Sequence, residues 1–191
     1  MADVLFRNES TQEFFKHQVE CAMQRQHLHA SDWTVYYLVR LLASYVSRTA
    51  SDAEHDGEPI GVRLARALAA GNGPQRDHLR RIADQALFVA GFFGDSLQRR
   101  AVDLDYYITV GGLAYGRLAS NDEDAFADVF GELAEKFVPV VDVLADISDR
   151  TWGSNRDLLR VYERWLRTGS KRDQALLVEH GLSVSSSRLV Q

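Results

Sequence analysis

The sequence is poor in the residues that staple or interrupt a fold. One cysteine, Cys21, occurs in 191 residues, and a lone thiol cannot close an intrachain disulfide. An oxidising compartment therefore finds no support, and the expectation is a cytoplasmic protein. Three prolines, Pro59, Pro74 and Pro139, leave long stretches free to be helical. No apolar run exceeds the eight residues 86–93, themselves interrupted by Gly91, whereas a membrane helix needs about 20. The opening MADVLFRNES holds neither a basic stretch nor a long apolar one, so no secretory signal is expected. A basic excess is missing too. Against 27 acidic residues stand 22 Lys and Arg, a net charge of −5, which argues against generic nucleic-acid binding.

Motifs that carry chemistry are equally scarce. No HExxH, Glu-x-x-His, CxxCH, phosphate-binding loop or dinucleotide glycine pattern occurs. Two histidine groups stand near acids, His27-x-His29 beside Asp32 and His55 between Glu54 and Asp56, but neither completes a ligand set. No metal is expected, and no cofactor can be named. Cys21 has His17 four residues earlier on the same helix face, yet an inert, half-buried thiol is the simpler reading. Period-2 alternation and hairpin turns are also absent; Asp56-Gly57 sits in a polar loop.

What is present is helical periodicity from end to end. A first helix starts after Asn8 or Ser10, where Ser10-Thr11-Gln12-Glu13 fits a capping box, and runs to about Leu28. A second runs from Trp33 to about Arg48, a third from Pro59 to Gly71, and a fourth from Gln75 to about Phe92. Gly94-Asp95-Ser96 reads as a stop and a new cap, giving a fifth helix over 97–119. A sixth opens between Asn121 and Asp124 and extends to Ile147, a seventh runs from Ser154 to Gly169, and a short eighth ends at Gly181. The expectation is a single all-α domain over 1–181, a bundle of seven to eight helices, with a loose tail over 182–191.

The second, fourth and fifth helices are apolar or aromatic round most of their circumference, which places them centrally. The fifth contains the unusual stretch DLDYYITVGGLAYGRLA, in which Gly112 and Gly116 lie four apart, as close helix crossing would require. Along the sixth, Phe126, Phe130, Leu133, Phe137, Val140, Leu144 and Ile147 are spaced 4, 3, 4, 3, 4, 3, a heptad seam that packs at a shallow angle. Asp128, Glu132, Glu135, Asp142, Asp146 and Asp149 lie on its other side, and Pro139 predicts a bend or break near Glu135.

Charges among apolar neighbours supply the candidate site residues. Arg40 has no acid within four residues on its own helix, so Asp84 or Asp103 is its expected partner, with tyrosine hydroxyls completing the network. Asp84 also has Arg80 four residues and Arg81 three residues before it, which allows a local pair. Arg40, Asp84, Asp103, Tyr106 and Tyr107 are thus either a structural network or the wall of an interior ligand pocket. Arg156, Arg160, Arg164 and Arg167 line one side of the seventh helix, a surface for the acidic stripe of the sixth, for a second subunit or for another partner. Trp33, Trp152, Trp165 and the apolar seam of the sixth helix are candidate interface groups. Two functions follow. The first is a helical protein-interaction module that binds a protein partner, as a homodimer. The alternative is a small-molecule or cofactor protein, an enzyme included, with its interior pocket near Arg40, Asp84, Tyr106 and Tyr107.

Overall fold

The computed structural model describes residues 2–46, 58–69, 74–97, 103–120, 125–152, 161–162, 165, 174 and 176–177. Among them are seven helices and no strand: α1 (Ala2–Arg25), α2 (Asp32–Val46), α3 (Ile60–Ala69), α4 (Pro74–Leu97), α5 (Leu104–Ala119), α6 (Ala127–Glu135) and α7 (Phe137–Trp152). The fold is an all-α helical bundle, as the periodicity predicts. No helix of the described residues is long and apolar enough to cross a membrane.

Helix α4 is the hub, packed against α3, α5 and α7. Its Ile82, Ala83, Ala86, Leu87, Phe88, Val89 and Ala90 are all buried. Helix α5 lies on α4 and α6, and α1 pairs with α2 and reaches α7. Aromatic rings cluster on α4, where Phe88 stacks on Tyr45 of α2 at 4.0 Å and Phe93 stacks on Tyr162 at 5.7 Å. Trp165 is fully buried beside Tyr162. It belongs to the core, which overturns its reading as an interface group.

Several boundaries differ from expectation. Helix α1 already runs from Ala2, so Ser10 lies inside it instead of capping it. The α1 C-terminus ends in a Schellman motif: Leu28 N–H donates to the Met23 carbonyl and His27 N–H to that of Gln24. His27 takes φ 52°, the left-handed position that glycine usually fills. Gly94 does not stop α4, which continues to Leu97, and α5 starts only at Leu104. Its cap is Asp103, whose carboxylate accepts from Tyr106 N–H at 3.0 Å.

The heptad seam is buried within the chain from Phe130 through Ile147, with Phe126 half-buried, so it belongs to the core and not to an interface. Its helix breaks at Lys136, where α6 ends and α7 begins. Pro139 is the third residue of α7, where a missing N–H costs nothing, and the break removes the clash with the Glu135 carbonyl.

The glycine expectation fails in an informative way. A Cβ on Gly112 or Gly116 would meet nothing within 4 Å, so neither admits a neighbouring helix. The buried face of α5 is Val110, Gly111, Ala114, Tyr115 and Leu118. Close approach occurs at Gly111, where a Cβ would sit 2.3 Å from the Phe137 ring, and at Gly91, where it would sit 2.4 Å from Leu144 Cβ.

Candidate functional site

The predicted residues Arg40, Asp84, Asp103, Tyr106 and Tyr107 fall in three separate settings. Arg40 is exposed on α2, its guanidinium 6.0 Å from the Tyr36 ring centroid and 3.4 Å from that hydroxyl. The expected pair with Asp84 or Asp103 does not form, because the long side chain keeps its charge in water along its own helix. Asp103 is spent on capping α5. Tyr106 leans from α5 onto α3, where its hydroxyl accepts the Gly61 N–H at 2.7 Å, satisfying an end donor of that helix. Tyr107 packs edge-on against Tyr106, centroids 5.6 Å apart.

Asp84 sits at a polar centre between α2, α4 and α5. One of its oxygens accepts from Tyr37 at 2.6 Å and from Tyr115 at 2.7 Å. Arg80 stands 3.8 Å from the other oxygen, donates to the Tyr37 hydroxyl at 3.2 Å, and lies 5.3 Å from that ring's centroid. Asp84 therefore pairs with Arg80 on its own helix and not with Arg40. Burial, followed by the neighbouring Asp84 charge, pushes both phenols well above their ordinary value. A raised folded-state pKa means that neutral phenol stabilises the fold fully below about 10, the unfolded value, and that this stability is lost as pH climbs further. Absorbance near 295 nm during alkaline titration is expected to show Tyr37 and Tyr115 ionising only together with unfolding. Ionisation of all seven tyrosines near the ordinary value, with the fold intact, would contradict the buried arrangement.

Two acids of the stripe tie helices together. Glu132 of α6 accepts from the Ser31 hydroxyl at 2.8 Å, the Thr34 hydroxyl at 2.5 Å and Lys136 at 2.8 Å. Lys136 also donates to the His29 carbonyl at 2.8 Å. Asp146 of α7 holds Arg25 of α1 at 2.8 Å and Arg150 at 2.9 Å. These contacts within the chain engage two of the acids that the sequence offers to the arginine stripe. Arg156, Arg160, Arg164 and Arg167 themselves lie outside the described residues, as do the side chain of Trp152 and the 182–191 tail.

Partial desolvation alone would raise the Glu132 pKa, but the hydrogen bonds from Lys136, Thr34 and Ser31 outweigh it and hold the carboxyl down to about 2. Its contribution is complete above the ordinary value of 4.5 and fades as pH falls towards 2. Glu132→Gln is expected to cost about 1–2 kcal/mol at neutral pH. In urea unfolding the gap between variant and wild type should close across that acid window. A gap that persists below it would assign the effect to shape, not charge.

Sequence reasoning missed a surface feature between α1 and α2. A cleft of about 820 Å³ is lined by Gln12, Glu13, Lys16, Glu20, Asp32, Val35, Tyr36 and Val39. Beside it Trp33 is 66 % exposed and Tyr36 48 % exposed, their rings edge-to-face with centroids 6.2 Å apart. Phe14 on α1 is also exposed. Lys16 pairs with Glu20 at 3.9 Å. The signal was in the spacing: Trp33, Tyr36 and Arg40 recur at three and four residues, one helical face.

Cys21 Sγ lies 3.6 Å from His17 Nε2 on the outside of α1, a contact within one helix turn. Among the described residues no three metal-ligating side chains come together. Compared with known protein families, curated proteins and solved structures, the chain shows no significant match.

Proposed function

We propose that the chain is a non-catalytic helical interaction module, working in the cytoplasm, that docks a protein surface against its α1–α2 face. Self-association into a homodimer is the simplest case. One observation carries the reading: Trp33 and Tyr36, two residue types enriched at interfaces, stand exposed at an open cleft. Covering such rings gains about 1.5–3 kcal/mol each, so leaving them wet forgoes stability that a partner would supply. The lone thiol fits a reducing compartment.

Native mass spectrometry with an absorption spectrum tests this against the small-molecule alternative. The expected result is a colourless protein at the mass of the chain or a simple multiple. Where a multiple forms, Trp33→Asp combined with Tyr36→Asp should shift sedimentation towards the monomer. A small molecule retained in stoichiometric amount would overturn the reading.

A further inference from the structure

We infer that the α1–α2 cleft receives a basic segment of a partner protein, one in which lysine or arginine alternates with apolar residues; this rests on the interaction reading above and specifies its partner. The walls carry three carboxylates, Glu13, Glu20 and Asp32, against one ammonium, Lys16. Lys16 is already paired with Glu20. Glu13 and Asp32 have no ion-pair partner among the described residues, so the cleft presents net negative charge. Its floor is apolar and aromatic, from Val35, Val39 and Tyr36.

That combination recognises a cation on a hydrocarbon stem. The stem lies along valine and ring surface, and the charge meets a carboxylate or a ring face. The Tyr36 ring already takes one such charge, the Arg40 guanidinium of its own helix, and Trp33 stands perpendicular to it, offering its own faces. An acidic segment would meet like charge and leave the carboxylates without counter-charge, a repulsion of the kind that sets specificity. At about 820 Å³ the cleft exceeds what a single side chain fills, so a run of residues suits it better than one free cation.

The test uses the full chain and a synthetic amphipathic peptide of alternating-face leucine and lysine, followed by tryptophan fluorescence and calorimetry at physiological salt. The lysine peptide is expected to bind, and the same peptide with glutamate for lysine is not. Glu13→Gln combined with Asp32→Asn should weaken binding at least tenfold, and Trp33→Ala combined with Tyr36→Ala should do the same. Neutralising two exposed acids elsewhere, Asp105→Asn with Asp128→Asn, should change affinity less than twofold. Circular dichroism verifies that each variant is folded. Spermidine, a cation without a peptide's apolar face, is expected not to compete. Equal weakening by both pairs of acid substitutions would reduce the effect to net charge and overturn the proposal. Preference for the glutamate peptide, lost on Trp33→Ala, would overturn the basic partner while leaving the interaction module standing. Absence of binding by either peptide would overturn the proposal as well.

Discussion

Asp84→Ala is expected to lower the stability of the folded chain by about 3 kcal/mol, a fall of roughly 6–12 °C in melting temperature for a chain of this size. The size follows from what remains behind. Tyr115 is fully buried and Tyr37 nearly so, and both hydroxyls donate to the same Asp84 oxygen. Without it, two phenols keep their desolvation cost and lose an acceptor, and Arg80 loses its carboxylate neighbour. Asp84→Asn retains an acceptor oxygen and should recover about half of the loss. The sharper experiment is a cycle: Asp84→Leu alone, then with Tyr37→Phe and Tyr115→Phe. If the cost lies in the abandoned hydroxyls, the triple variant should be more stable than the single one. A triple variant weaker than Asp84→Leu, by the sum of its parts, would show that the tyrosines stabilise by packing and that Asp84 is not their anchor.

Gly91→Ala is expected to cost about 2 kcal/mol, whereas the same change at Gly112 or Gly116 should gain up to about 1 kcal/mol. All three positions are helical, so alanine brings the same benefit of propensity to each. The difference lies in what the new methyl meets. At Gly91 it would sit 2.4 Å from Leu144 Cβ, an atom fixed to the α7 backbone, so α7 must back away from α4. At Gly112 and Gly116 there is open space. Gly111→Ala falls between, because the nearest obstacle there is the tip of the Phe137 ring, which can tilt at some cost, with Ala86 Cβ of α4 less close at 3.1 Å. Urea unfolding of the four variants reads the order directly. Equal stabilisation at all of them would mean that α4 and α7 do not approach as described.

The same comparison shows what the sequence could disclose. Spacing reveals which residues share a helix face but not always which face turns inward. Gly112 and Gly116 share a face, and that face is wet; Gly111 lies about 100° round the helix, beside the stripe that Val110, Ala114 and Leu118 mark out at every fourth residue. Counting every apolar residue of α5 concealed this stripe, since Leu113 is 58 % exposed. By contrast, the seam from Phe126 to Ile147 was legible, because strict heptad spacing with acids opposite leaves one choice of inward face. Pro139 located the break in it. Arg40 was misread because charge pairing across helices depends on tertiary geometry, while the Arg80–Asp84 pair needed only four residues of helix. The cleft was illegible for the same tertiary reason: Glu13 and Asp32 come together only once α1 and α2 pack side by side.

The break at Lys136 has a mechanical consequence. Glu132, just before it, is fastened to the start of α2, and Asp146, beyond it, is fastened to the end of α1. Both limbs of this elbow are tied to one brace, in addition to the packing of α6 on α5 and of α7 on α4, so the angle between them is held from two sides and not by the backbone torsions at Lys136 alone. The brace also forms the walls of the cleft. A segment seated there, as proposed above, would press on the same brace that ties the two limbs of the elbow.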